Sequence, residues 1–205
     1  MLTTVLVATR NRGKVKEIRE MLAPYQVNVL TLADLPDAPE VVEDGVTFEE
    51  NAAKKAREMY LHSHIPTLAD DSGLVVDALG GAPGVRSARY AGEPCNDADN
   101  NTKLLGELEL VGALEPSQRT ARFVCAMAFS GPTLTLESRG EVEGFIAREP
   151  AGNGGFGYDP LFVVTCLGRT AAQLPPQEKN AVSHRGAALA GMLEQFRRKG
   201  LVSLP

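Results

Sequence analysis

"TTVLVATRNRGKVKEIREMLAPYQVNVLTL", residues 3–32, decides the fold class. "TTVLVAT" is β-branched and apolar, as a buried strand requires. "GKVKEIREMLA" then places Val15, Ile18, Met21 and Leu22 at helical spacing, and "QVNVLTL" returns to strand. Strand, helix and strand in that order open a βαβ unit, so a mixed α/β fold is expected.

Further along, "TFEENAAKKAREMYLHSH" (47–64) predicts a helix that starts with a capping box, Thr47 and Glu50. Strands are expected at "IPTLAD" (65–70) and "LVVDAL" (74–79), on either side of a polar junction. "NDADNNTKLLGELELVG" (96–112) reads as a helix capped by Asn96 or Asp97. "RTARFVCAMAFS" and "TLTLESRGEVEGFIA" alternate like antiparallel strands joined at Gly131 and Pro132. An amphipathic helix with Val182, Leu189, Met192, Leu193 and Phe196 closes the chain. No repeat, low-complexity tract or linker divides these elements, and one domain over residues 1–205, with room for two lobes, is expected.

With 43% hydrophobic residues the chain can bury a substantial core. Its net charge of −5 gives no overall positive field to draw it to nucleic acid or an anionic membrane, so an anionic ligand needs a local group of cations. No apolar run approaches the length of a bilayer span, and "MLTTVLVATR" has neither the basic start nor the small-residue cleavage site of a signal peptide. A cytoplasmic location is expected. Cys95, Cys125 and Cys166 are widely spaced without a Cys-x-x-Cys pair, which suggests no disulfide framework and no zinc site, and suits a reducing compartment.

Five short stretches carry chemistry. In "LADDSGL" (68–74), Asp70, Asp71, Ser72 and Gly73 have the composition of a hairpin turn, yet two adjacent carboxylates are also what a metal-assisted hydrolase uses. "ATRNRGK" (8–14) is a loose relative of a phosphate loop. Ala8 and Val15 stand where a Walker A motif has a Gly and a hydroxyl residue, but helix-start N–H groups, Gly13 and Lys14 still converge where an anion would sit, unless this is an ordinary βα loop.

Lys55 falls in the middle of the apolar stripe of Phe48, Ala52 and Met59, whereas Lys54 and Arg57 point elsewhere. An inward lysine either snorkels or meets a buried anion. "GNGGFGYDP" (152–160) is either a glycine-rich surface turn or a segment that brings backbone and an aromatic face against a flat ligand. "EKNAVSHRG" (178–186) gathers Lys179, Ser183, His184 and Arg185 near a helix start, as a solvated basic end or as a set of ligand donors. His62 and His64 end a helix and read as dipole partners rather than metal ligands.

Together, "ATRNRGK", "EDGVTFEENAAKKA", "LADDSGLVVDALGGAPGVRSARYAG", "GGFGYDPLF" and "EKNAVSHRGAAL" resemble the inosine triphosphate pyrophosphatase family, in order and along nearly the whole chain. The resemblance implies an elongated mixed α/β fold with flanking helices, two lobes around a central nucleotide-binding cleft, and a homodimer. It further implies Mg²⁺-dependent hydrolysis of ITP, dITP and XTP to the monophosphate and pyrophosphate. On this resemblance Thr9, Arg10, Asn11, Arg12, Gly13 and Lys14 bind the triphosphate, while Glu43 and Asp71 hold the metal and Asp71 also accepts the proton. Ser72 and Lys55 contact phosphates. Phe156, Gly157, Tyr158, Asp159, Lys179, His184 and Arg185 line the base and sugar pocket. Arg10 departs from the family pattern, which commonly has a small residue such as Gly there. A related pyrophosphatase for pyrimidine or modified triphosphates, or a nucleotide sensor without turnover, are the competing readings.

Overall fold

Four residues, Thr4–Val7, form β1, and their aliphatic side chains are nearly all buried. The chain then enters helix α1 (Arg12–Leu22), which buries Ile18 and Leu22, and returns as β2 (Asn28–Thr31), parallel to β1. The βαβ opening is as the sequence predicts. This computed structural model describes residues 1–203.

Helix α2 (Phe48–Ser63) begins at the expected capping box. Thr47 Oγ1 accepts the Glu50 N–H at 3.2 Å, and Glu50 Oε2 accepts the Thr47 N–H at 3.3 Å, so two otherwise orphaned helix-start donors are satisfied. Strand β3 (Thr67–Val76) follows, then helix α3 (Asp97–Leu110), capped by Asn96. Strands β4 (Thr120–Ser130) and β5 (Thr135–Ile146) form the expected hairpin: Gly131 donates to Leu134 C=O at 3.0 Å, and Ile146 to Arg119 C=O at 3.0 Å. Two short strands, β6 (Phe162–Val164) and β7 (Arg169–Thr170), and helices α4 (Pro176–Val182) and α5 (His184–Arg198) complete the order. The described strands form one seven-stranded mixed sheet in the order β2-β1-β3-β4-β5-β6-β7.

Two expectations fail. The predicted strands 65–70 and 74–79 are parts of one continuous strand, so "DDSG" is not a turn. β3 lies between β1 and β4 in the sheet, its ladder to β1 covering Thr67 and Leu68, and membership of the sheet outweighs the local turn preference of Asp, Ser and Gly. The closing helix is also interrupted. Val182 ends α4, and Ser183 takes an extended conformation (φ −85°, ψ 153°) before α5 starts. The Ser183 hydroxyl donates to Asn180 C=O at 3.4 Å, a local bond that competes with helix continuation.

The described residues group into two compact units, the first comprising Met1–Asp71, Cys125–Gly140 and residues 184–203, the second Ser72–Val124 and Glu141–Ser183. The first has a core of Val5, Val7, Ile18, Leu22, Leu68, Met127, Phe129, Leu189, Met192 and Phe196, with the Phe129 and Phe196 rings edge to face at 4.8 Å. In the second, Leu74, Val76, Leu104, Leu108, Phe123, Ile146, Leu161 and Phe162 pack together, and Phe123 meets Phe162 at 4.4 Å. No described helix is long and apolar enough to cross a membrane.

Candidate active site

Because successive residues of a strand face opposite sides of its sheet, Asp70 and Asp71 on β3 enter different surroundings. Asp70 is almost wholly buried. Its Oδ2 meets Lys14 Nζ at 3.0 Å and Arg185 Nε at 3.4 Å. Burial alone would push its carboxyl up, but Lys14, Arg185 and Lys55 outweigh burial and hold it well below the usual carboxylate range. Asp70 is therefore a fixed anion. Its other oxygen, Oδ1, is buried without a hydrogen-bond partner among the described residues.

Asp71 behaves in the opposite way. Burial raises its pKa, Glu43 adds to the rise, and Lys55, Lys14 and a 3.0 Å hydrogen bond from Asn51 Nδ2 offset it only in part. Two neighbouring carboxyls whose surroundings drive their proton affinities apart have the pattern expected of a structural anion beside a base.

Lys14 stands in the first turn of α1, just past the loop from β1. Asn11 caps α1 through Oδ1, accepting from Gly13 at 2.9 Å and Lys14 at 3.2 Å, and Thr9 Oγ1 accepts the Asn11 N–H at 3.2 Å. These bonds fix the loop and direct Lys14 inward. Arg10 and Arg12 instead line a groove of about 690 Å³ on α1, together with Thr9, Val15, Lys16 and Arg19. Arg10 Nη2 lies 3.5 Å from Ala38 C=O. Thus the structure joins Lys14 with the carboxylates, while Arg10 and Arg12 line the groove.

Lys55 is buried on α2, as its place in the apolar stripe predicts, and its ammonium meets Glu43 Oε1 at 3.1 Å. Asn51, one turn earlier on the same face, is buried as well and bonds both Asp71 and the Gly45 N–H, the latter at 2.8 Å. The loop carrying Glu43 is thereby tied to the helix that steadies Asp71. Glu43 and Asp71 lie close enough for Glu43 to raise the Asp71 pKa. That repulsion is what a shared divalent cation would relieve, so the donor set fits a hard oxygen-binding metal. Among the described residues no cluster of three His, Cys, Asp or Glu forms a metal cage, and such a cation would be completed by substrate oxygens and water.

His184 and Arg185 open α5, and both are buried in the first unit. Arg185 pairs through Nη1 with Glu17 of α1 and through Nε with Asp70. Burial works against the guanidinium charge, but Asp70 above all outweighs it and keeps Arg185 protonated. A Cβ at Gly140 would stand 2.2 Å from His184 C=O, so β5 needs glycine there for α5 to approach. Cys125 Sγ, 3.9 Å from Asp70, is no nucleophile: burial and then Asp70 push its pKa up to about 12.

The second unit holds Ser72, Phe156, Gly157, Tyr158, Asp159 and Lys179. Ser72 continues β3 and is partly buried. Asp159 Oδ2 accepts the Phe156 N–H at 2.9 Å and pairs with Lys179 at 2.8 Å, and the Lys179 ammonium stands 4.9 Å from the Phe156 ring centroid. Gly155 makes this possible: at φ +73° a Cβ would lie 2.0 Å from Asp159 Oδ2. Tyr158 packs into the core and donates to Ser87 C=O at 2.8 Å, leaving little of its ring for a ligand.

Two residues at these clusters, Asn51 and Glu17, carry no assignment from the sequence, and Asp70 is singled out there only as one of two adjacent carboxylates. Asn51 and Glu17 are polar residues on buried helix faces, the signal that singles out Lys55.

Comparison with known proteins agrees with the motifs. A family model described as the Ham1 family matches residues 5–195, and the chain belongs to that family. Among its relatives, the dITP/XTP pyrophosphatase of Geobacter sulfurreducens is 52% identical over 98% of this chain and 100% of its own length. That of Geobacillus kaustophilus is 51% identical over 94% of this chain and 93% of its own. A HAM1 protein structure from Coxiella burnetii superposes with a TM-score of 0.86 at 42% identity, covering 97% of this chain and 100% of the other.

Proposed function

We propose that this protein hydrolyses non-standard purine nucleoside triphosphates, ITP, dITP and XTP, to the monophosphate and pyrophosphate, with the whole chain, residues 1–205, as the catalytic domain. The observation that carries this reading is the divergent pair on β3, Asp70 held ionised by Lys14 and Arg185 and Asp71 raised beside Glu43. Membership in a pyrophosphatase family suggests a divalent metal cofactor, and Mg²⁺ matches two carboxylates completed by phosphate oxygens and water. When bound, the metal would neutralise phosphate charge and polarise the attacked phosphorus centre.

In this reading Asp71 takes the proton of the attacking water, a task its raised pKa suits. Lys14 and Lys55, with the N–H groups of the segment 9–14 at the start of α1 and the Ser72 hydroxyl, offset the triphosphate charge. Asn51 keeps the Asp71 carboxylate oriented. Phe156 offers a ring for base stacking, and Asp159, Lys179, His184 and Arg185 are assigned to the base and sugar. A 6-keto purine accepts a hydrogen bond where adenine donates one, so cationic donors favour inosine and xanthine. A homodimer is proposed from family resemblance, and a cytoplasmic location from the three unpaired cysteines.

Hydrolysis in H₂¹⁸O tests the bond cleaved. Attack at the α phosphate places the label in the monophosphate and leaves pyrophosphate unlabelled, whereas label in pyrophosphate contradicts the proposal. Lys55→Met provides a second check. An apolar isostere in the stripe of α2 should keep or raise the melting temperature, since Glu43 is one-third exposed and loses little, while turnover falls at least about tenfold. Loss of stability with an unchanged rate would show that the Lys55 pair serves packing alone.

A further inference from the structure

Helix α3 approaches the aromatic loop with two polar side chains one turn apart. Asp97 Oδ2 accepts the Gly157 N–H at 2.7 Å, and Asn101 Nδ2 donates to Gly157 C=O at 3.0 Å. Both backbone polar groups of one residue are thus taken by positions i and i+4 of a single helix, which lie on one face. Gly157 is also the residue at which the chain turns through φ +63°, so its two peptide planes set the direction of Phe156 on one side and Tyr158 on the other.

The helix is a firm reference for this contact. Asn96 caps its first turn, accepting from Ala98 at 2.8 Å and Asp99 at 3.3 Å, and Leu104 and Leu108 are wholly buried in the core of the same unit. The neighbouring Phe156 N–H is held separately by Asp159, and Tyr158 by Ser87. Without Asp97 and Asn101, the Gly157 N–H and C=O would lose these bonds, and the 3.3 Å bond from the Asp159 N–H to Phe156 C=O would remain to hold a turn built on a permissive residue.

We infer that Asp97 and Asn101 are positioning residues that clamp Gly157 and so preset the Phe156 ring for a purine base. This rests on the proposed stacking role of Phe156. Neither residue touches the reacting phosphates in that role, so their loss should weaken binding rather than chemistry. Ordering the loop before the base arrives avoids an entropic cost at binding, and the benefit is common to all purines because stacking does not distinguish them.

The test combines amide hydrogen exchange with kinetics on Asp97→Ala, Asn101→Ala and Asp97→Asn. In both alanine variants the Gly157 amide should exchange about tenfold faster, and KM for ITP and XTP should rise together by about as much, with kcat nearly unchanged. Asp97→Asn keeps an acceptor oxygen and should restore most of both. Unchanged Gly157 exchange in the alanine variants overturns the clamp. Faster exchange with unchanged KM overturns its part in binding; Phe156→Ala then separates the causes, because a raised KM there preserves stacking and an unchanged KM removes the stacking role itself.

Discussion

Asp71→Asn is expected to lower kcat by about a thousandfold or more while the protein folds normally. The amide has nearly the same shape, and its oxygen can still accept from Asn51 Nδ2. It is, however, a poor base and a poor ligand for a hard divalent cation. Because burial already disfavours the Asp71 charge, with Glu43 adding to the effect, a neutral side chain should leave thermal stability equal or higher. Asp70→Asn is the informative control. That change weakens the shared anion of Lys14 and Arg185, so stability and activity should fall together. Near wild-type turnover in Asp71→Asn would make Asp71 a structural residue and move water activation to another group.

The second large effect is on stability. Arg185→Met should cost about 3–5 kcal/mol in denaturant unfolding, the range for breaking a buried ion pair from one side. Glu17 and Asp70 both lose a partner, and Asp70 keeps its ion pair with Lys14. A loss below about 1 kcal/mol, typical of an exposed pair, would show that the network is not coupled to folding.

The same network predicts a pH dependence in protein freed of divalent cations. The Asp70 carboxyl is held below its ordinary value in the fold, so its contribution is fully present above the unfolded pKa and is lost as pH falls below about 4. Asp71, with a raised pKa, works in the opposite direction over acidic pH. The acid loss is therefore best measured in Asp71→Asn, where only Asp70 of the two titrates.

Elements whose pattern is local were legible in the sequence. The α2 capping box lies within four residues, and the inward direction of Lys55 follows from helical periodicity alone. The continuous β3 was not legible, because Asp-Asp-Ser-Gly has turn chemistry and its place in the sheet, which involves residues distant in sequence, overrules it. Lys14 and Asp71 could be singled out as charged residues at motif positions. Their partners could not: Arg185 is 168 residues from Glu17 and 115 from Asp70, distances over which no periodicity operates. Glu17 lies one turn before Met21 on α1, so a search for polar residues on apolar faces would have marked it without naming Arg185. Strands β6 and β7 are too short for alternation to register.

The most direct measurement is product release across a nucleotide panel with Mg²⁺ present. Equimolar monophosphate and pyrophosphate should form from ITP, dITP and XTP, with kcat/KM for ATP and dTTP lower by about a thousandfold. Release of orthophosphate, equal turnover of ATP, or tight binding of ITP without any pyrophosphate would contradict this account.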